Sequence, residues 1–524
     1  MLVDRFLAVQ NGSDVRGAVI ETEKEKKTLS GRMAFLITAA FADYLAGREN
    51  KDRSQLRIGV GNDSRITAKL MREACFAGLC GSQVFDCGMI TTPAMFQSTI
   101  LPESHFDGAV MITASHLPYN RSGLKFFTSD GSLEKDQVRE VLRGAAVLAD
   151  QCDTQADLRA DEATSLDLSR LFDLRGLSLP GQRPQPFDLK GIYCDHLRTT
   201  IKEEVNSFSY EKPLFGLHIV VDAGNGSSGF FADEILKPLG ADISGSVYLK
   251  PDGWFPNHVP NPEDADAIGC LRGAVKDSGA DLGVIFDCDG DRAAVVFDDG
   301  REANRNTLIA LLASILAEKH PGSTIVTDSI TSDELTEYLT EELKLKHLRY
   351  KRGYKNVIDK GIELNAAGED CELAIETSGH GAFKENHFSD DGAYIAVKII
   401  CCMARLRSQG RRLQELISAY REPADAREIR FHIEAEDFAA CGSQVLEDFR
   451  AFAQADSRFH IVEPNYEGIR ISFKDSQVSG WLLLRKSLHD PVLPMNIEAR
   501  EKGGVDVIWN RVKFFFEKYP LRAD

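Results

Sequence analysis

The chain has 524 residues, enough for several independent cores and too many for a small module stapled by metal or disulfides. Its 43% hydrophobic and 27% charged residues are ordinary globular usage and exclude collagen-like or disordered classes. Against 62 basic side chains stand 80 acidic ones, a formal charge of −18, so the overall field opposes nucleic acid and anionic membrane, and neither is expected as a partner.

In chain order, the opening MLVDRFLAVQNGSD mixes both charge signs and has no apolar signal core. Helical periodicity over 29–45 leads to an apolar run at 57–63 (RIGVGND), a second helical pattern over 67–79 and a second run at 108–115 (GAVMITAS). Residues 142–188 are acidic and mixed, contain the loop-like PGQRPQPF, and read as an insertion without chemistry. Further strand-like runs follow at 217–222 (LHIVVD), 282–287 (LGVIFD) and 323–328 (STIVTD), with helical stretches at 307–316 and 333–343. This alternation predicts α/β units with buried sheets, whose ligands sit beyond the carboxyl ends of strands. From about residue 427 the rhythm becomes REIRFHI, VLEDFRAFA, FHIVEP, GIRISF and WLLLRKS, then a last helix near 505–519. That pattern predicts a small antiparallel sheet with helices on one face. The expected domains are 1–190, 191–303, 304–420 and 421–524. The longest clean apolar stretch, 308–317, falls short of a membrane span of ~20 residues. Eleven scattered cysteines without a CxxC pair point to free thiols and a cytoplasmic location.

Four polar loops follow such runs. Thr113-Ala114-Ser115-His116-Leu117-Pro118, with Lys125 beyond, offers a hydroxyl nucleophile or phosphate carrier at a strand end, although these residues alone read more readily as a polar turn before Pro118. Asp287-Cys288-Asp289-Gly290-Asp291-Arg292 sets carboxylates at alternate positions, which converge only if a hard cation such as Mg²⁺ offsets their repulsion. An EF-hand does not fit, because Arg292 and Asp298 stand where Gly and Glu are needed. Glu376-Thr377-Ser378-Gly379-His380, followed by Lys384, presents acceptors and donors suited to vicinal sugar hydroxyls, or simply a hydrogen-bonded turn. Arg485-Lys486-Ser487-Leu488-His489 carries donors that fit a phosphate dianion.

Together, in this order, the four loops resemble the α-D-phosphohexomutase superfamily, which includes phosphoglucomutases and phosphomannomutases. Residues 12–17 (GSDVRG), 60–65 (VGNDSR), 222–226 (DAGNG) and 251–263 (PDGWFPNHVPNPE) add to the likeness. The resemblance implies three similar mixed-sheet α/β domains and a smaller C-terminal α+β domain around a central cleft. It implies interconversion of hexose 1-phosphate and hexose 6-phosphate through phosphoserine and a hexose 1,6-bisphosphate, with Mg²⁺ as cofactor. Residue by residue, Ser115 would carry the phosphate and, with Asp287, Asp289 and Asp291, ligate Mg²⁺. Arg16, His116 and Lys125 would manage charge and protons around the serine. Arg292, Arg352, Gly353, Tyr354, Glu376, Ser378, His380 and Lys384 would face the phosphosugar. Arg485, Ser487 and His489 would hold its non-reacting phosphate, with His489 where the family usually has threonine, so that anchoring is expected to weaken as pH rises through the histidine's titration.

Two other readings compete. VIFDCDGD is similar to the haloacid-dehalogenase phosphatase signature, with Asp287 as nucleophile, but leaves Ser115 without a role. The altered fourth loop would suit a binding or regulatory protein that keeps the fold. Oligomeric state and the preferred hexose are not legible.

Overall fold

The runs 57–63, 108–115, 217–222, 282–287 and 323–328 form the strands Arg57–Asn62, Gly108–Ile112, Ile219–Asp222, Leu282–Phe286 and Thr324–Thr327, all almost wholly buried. β-branched and apolar residues without polar alternation can be buried on both faces, and helices cover them. The computed structural model describes residues 2–151, 183–487 and 490–524. Two units emerge, Met1–Glu302 with Ser389–Arg411, and Ala303–Phe388 with Arg412–Asp524.

In the first unit, one sheet runs in the order Gln10–Asn11, Asp14–Ala18, Arg121–Thr128, Gly108–Ile112, Arg57–Asn62, Gln83–Met89 and Gln185–Pro186. Arg57–Asn62 is parallel to both its neighbours, whereas Gly108–Ile112 pairs antiparallel with Arg121–Thr128. Helix Gly31–Glu49 starts where the Ser30 hydroxyl accepts from Met33 N, and sets Phe41 4.5 Å from Phe126. The second sheet orders Glu302–Ala303, Ala293–Phe297, Leu282–Phe286 and Ile219–Asp222, and helix Ala265–Ser278 packs on it. Helix Gly392–Ser408 belongs to this unit, and Gly392 N donates to Gly290 O at 3.2 Å.

The expected insertion at 142–188 begins differently from its composition. Residues up to 151 complete helix Lys135–Gln151, which buries Val138, Val141, Leu142, Ala145, Ala146 and Ala149. Small alanines on one face, interleaved with charge on the other, gave an amphipathic helix the look of a polar connection. Residues 152–182 lie outside the described residues.

In the second unit, Lys346–Arg349, Thr324–Thr327, Cys371–Ile375 and Gly381–Phe383 form a mixed sheet. The C-terminal sheet is antiparallel, in the order Phe459–Ile461, Ile469–Lys474, Ser479–Leu484, Val492–Ala499, Asp425–Ile433 and Leu521–Ala523. Val492–Ala499 is not signalled by sequence, because Pro494 sits within it. Helices Phe438–Gln454 and Gly504–Phe516 meet over this sheet, where Phe449 lies 5.1 Å from Phe515 and 5.4 Å from Phe516.

All four polar loops share one local construction. Residues 113–120, 287–292 and 376–380 each join a strand to an antiparallel neighbour in the same sheet, and the described ends of the fourth loop, 485–487 and 490–491, flank another such pair. A hairpin fixes both ends of a loop through ladder hydrogen bonds, so its polar side chains are held by main chain on either side.

Phe449 is fully buried between helix and helix. Phe449→Ala should destabilise the C-terminal region by about 3–5 kcal/mol, read as a lower urea midpoint in unfolding followed by Trp481 and Trp509 fluorescence.

Candidate active site

The serine loop is built around a buried arginine. Asp63, just past strand Arg57–Asn62, and Arg65 form an ion pair with Nε to Oδ2 at 3.1 Å, both side chains fully buried. The other nitrogens of Arg65 gather the loop: Nη1 donates to Pro118 O at 2.8 Å and Arg121 O at 3.0 Å, and Nη2 to Leu117 O at 2.7 Å and to Ser115 O. Asp63 Oδ2 also accepts from Thr113 Oγ1 at 2.7 Å, and that hydroxyl accepts from Ser115 N at 2.8 Å. Burial pushes the Asp63 carboxyl up, with Arg65 working in the opposite direction.

Held from both sides, Ser115 has φ +50°. A non-glycine residue in the left-handed region costs about 1 kcal/mol or more and persists only where its surroundings impose it. Its side chain is directed toward chemistry: Ser115 Oγ donates to Asp287 Oδ2 at 2.9 Å and lies 3.3 Å from His116 Nδ1.

Asp287, Asp289 and Asp291 are each fully buried, and one oxygen from each lies within 4.8 Å of the others. Gly290 makes this possible at φ +72°, where a Cβ would fall 2.5 Å from Ser228 Oγ and 2.7 Å from Thr91 Cγ2. Asp287 Oδ1 accepts from Gly290 N at 3.0 Å and Arg292 N at 3.3 Å, and Oδ2 from Arg292 Nε at 3.0 Å. Burial works against charge on Arg292, and the attraction of Asp287 and Asp291 outweighs it. Lys125 Nζ, from the return strand of the serine hairpin, lies 2.6 Å from Asp291 Oδ2 and 3.4 Å from Asp289 Oδ2. Thr92 Oγ1 donates to Asp289 Oδ2 at 2.6 Å, leaving Asp289 Oδ1 buried without a hydrogen-bond partner. An orphaned carboxylate oxygen among three converging carboxylates is the donor set of a hard divalent cation.

Within the second unit, the third loop and its neighbours form a second polar cluster. Glu376 Oε1 accepts from Gly353 N at 2.6 Å, and Oε2 from Ser378 Oγ at 3.3 Å. The His380 ring stacks on Tyr354 at 5.1 Å. Arg352 N donates to Glu467 Oε2 at 3.1 Å. Arg485 is 6% exposed, and its Nε is buried without a hydrogen-bond partner. Burial first and the Arg352 charge second pull its pKa down, so a cation here gains from an anionic ligand. Ser487 Oγ accepts from Asp490 N at 3.2 Å. Leu488 and His489 lie outside the described residues.

Within the first unit the structure gathers Ser115, His116, Lys125, Asp287, Asp289, Asp291 and Arg292, and within the second Arg352, Gly353, Tyr354, Glu376, Ser378, His380 and Arg485. Arg16 sits on strand Asp14–Ala18, opposite Gly123, and pairs with Asp14 at 2.8 Å. Lys384 is a correction. It follows strand Gly381–Phe383, at the opposite end of the hairpin from Glu376, and its ammonium is taken by Asp370 at 2.6 Å and Glu372 at 2.7 Å. Strand period carried it away from the loop it follows in sequence. Sequence reasoning gave no role to Arg65, Thr92 or Asp328; Arg65 lay in the quoted VGNDSR motif, while a lone threonine and a lone aspartate carry no sequence signal.

Arg65→Lys keeps the charge and loses the fork of donors, stranding several buried carbonyls. We expect a loss of about 3–5 kcal/mol in stability, with faster amide exchange confined to 113–123 in hydrogen-exchange mass spectrometry.

Comparison with known proteins agrees with this geometry. Three family models match in succession: phosphoglucomutase/phosphomannomutase α/β/α domain I over 8–146, domain II over 192–300 and domain III over 304–422. A phosphoglucomutase of Neisseria gonorrhoeae is 27% identical over 510 residues, covering 97% of this chain and 96% of its own. A phosphomannomutase/phosphoglucomutase of Pseudomonas aeruginosa is 27% identical over 515 residues, 98% of this chain and 95% of its own. In fold, a Burkholderia thailandensis phosphoglucomutase/phosphomannomutase family protein aligns with TM-score 0.75 at 23% identity, covering 98% of this chain and 99% of its own. The Paramecium phosphoglucomutase parafusin aligns with TM-score 0.68 at 15% identity, covering 98% and 96%. With its strained serine and its converging carboxylates each falling within a matched domain, the chain belongs to the phosphoglucomutase/phosphomannomutase family.

Proposed function

We propose that the protein is a phosphohexomutase that interconverts hexose 1-phosphate and hexose 6-phosphate, glucose or mannose, through phosphorylated Ser115 and a hexose 1,6-bisphosphate. The observation that carries this reading is the 2.9 Å hydrogen bond between Ser115 Oγ and Asp287, which ties a nucleophile-sized hydroxyl to a cation-type carboxylate cluster. Asp287, Asp289 and Asp291, with the serine phosphate, would hold Mg²⁺, and the ion when bound would neutralise charge on the transferring phosphoryl group.

The protein's own groups account for the rest. The bond from phosphorus to Ser115 Oγ breaks as a sugar hydroxyl forms the new ester, and the proton lost by that hydroxyl ends on the departing Ser115 Oγ. His116 Nδ1, 3.3 Å from Ser115 Oγ, can hold a proton at that oxygen. Lys125 and Arg292 flank the reacting phosphate with fixed positive charge, which favours the more charged transition state without reorganisation. Glu376 and Ser378 would read sugar hydroxyls, and Arg485 with Ser487 would grip the second phosphate. The bisphosphate then presents that phosphate to the serine, which restores the phosphoenzyme. The haloacid-dehalogenase reading gives Ser115 no role, although its Oγ donates to Asp287 Oδ2 at 2.9 Å. No helix among the described residues is long and apolar enough to cross a membrane, and every described cysteine is free.

A coupled assay with glucose 1-phosphate and mannose 1-phosphate, primed with a trace of hexose 1,6-bisphosphate, tests the reading. The wild type should turn over, and Ser115→Ala should lose at least roughly a thousandfold in kcat with little change in Tm. Intact mass should show one phosphate on the purified protein, mapped to Ser115. Turnover in Ser115→Ala equal to wild type would refute the mechanism.

Asp289→Asn removes one charge from the carboxylate cluster while keeping its size. Calorimetry should show Mg²⁺ affinity weakened by at least roughly tenfold, and an unchanged affinity would make the cluster a mere turn.

A further inference from the structure

Asp328 stands where the established reading has no use for it. It follows strand Thr324–Thr327, which runs parallel to Cys371–Ile375 with Thr327 opposite Ile375, so that Asp328 and Glu376 are the next residues on neighbouring strands. Both thus leave the sheet at its carboxyl end, the edge where α/β sheets take ligands. The Asp328 side chain is fully buried. One oxygen, Oδ2, accepts from Thr377 Oγ1 at 2.7 Å; the other, Oδ1, is buried without a hydrogen-bond partner. Arg352 Nε lies 4.0 Å from Oδ2. A buried carboxyl with a vacant oxygen costs stability, and such costs are kept where they serve a site.

We propose that Asp328 is a positioning carboxyl of the loop that follows Cys371–Ile375, acting through its neighbours by holding Thr377 next to Glu376. This rests on the phosphohexomutase reading and adds a residue to it. Burial first, then the Glu376 charge, push Asp328 up to about 7, with Arg352 and the Thr377 hydrogen bond opposing. The groups facing it are Glu376 on the adjacent strand end, Arg352 on the turn after Lys346–Arg349, Glu467 before Ile469–Lys474, and Arg485 after Ser479–Leu484. Below pH 7 Asp328 is the neutral acid; above it Asp328 adds a negative charge next to Glu376 and a bound phosphosugar, and binding weakens. The sign for stability is the same: a carboxyl whose folded pKa is raised holds its proton between its unfolded value, about 4, and 7, so stability falls as pH rises across that window.

Asp328→Asn keeps the Thr377 hydrogen bond and removes the titration. Profiles of kcat/KM for the full-length enzyme from pH 6 to 8.5 should differ, the wild-type-to-variant ratio falling by at least about threefold across the range. Thermal unfolding should show the variant gaining Tm over wild type at pH 8 and not at pH 4. Carboxyl ¹³C NMR without sugar should show a step near pH 7 in wild type that vanishes in Asp328→Asn, and in Glu376→Gln moves to lower pH. Superimposable kcat/KM profiles, or no carboxyl step above pH 6 in wild type, would overturn the proposal. The NMR titration decides it even if the enzyme turns over no hexose phosphate, a result that would fall on the functional reading instead.

Discussion

Three carboxylates with oxygens within 4.8 Å of one another, all fully buried, repel strongly enough to set the terms for the rest of the first unit. In a low-dielectric interior such charges persist only if opposite charge and directed donors surround them. Each neighbour supplies one: Arg292 and two main-chain amides to Asp287, Thr92 to Asp289, Lys125 to Asp291. The donors come from three separate stretches of chain, so the electrostatic requirement of one six-residue turn fixes how two sheets of this unit are joined. Ser115 donates to the same cluster, and the nucleophile inherits its position from this charge balance.

The serine loop solves a different problem with the same economy of groups. Its chain turns sharply between two strands and leaves carbonyls pointing inward. One guanidinium, neutralised by Asp63, satisfies four of them. A lysine could not, since a compact ammonium lacks the planar spread of donors. The positive φ of Ser115 is sustained by this rigidity, and strain at the reacting residue is offset by bonds a few ångströms away. Preorganisation of this kind is what electrostatic catalysis requires, because donors already aimed at the reacting phosphate need no reorganisation during transfer.

The second unit uses less charge balance and more mixed polarity. Glu376, Asp328 and Glu467 lie among Arg352 and Arg485, and two of these groups, Asp328 and Arg485, keep an oxygen or nitrogen without a protein partner. Such vacancies suit a ligand rich in hydroxyls and phosphate oxygens. A hairpin end on a buried strand allows this, since the ladder holds the main chain in place.

By itself the sequence determined the strand-and-helix alternation, the change of rhythm near residue 427 and the four polar loops, because buried strands read as unbroken apolar runs and chemistry-bearing turns cluster unusual residue types. That Ser115 and the Asp287–Asp291 turn would converge came from the family resemblance of the loops. The sequence could not show that each loop is a hairpin, since the return strands Arg121–Thr128 and Val492–Ala499 carry glycine, lysine or proline that blur their pattern. Nor could it separate Lys384 from Glu376, eight positions apart in sequence but at opposite ends of a short antiparallel pair. Arg65, Thr92 and Asp328 were decided by tertiary structure alone. Their roles lie in hydrogen bonds to residues tens to hundreds of positions away, and a pairing over that distance leaves no period or spacing for a single sequence to carry.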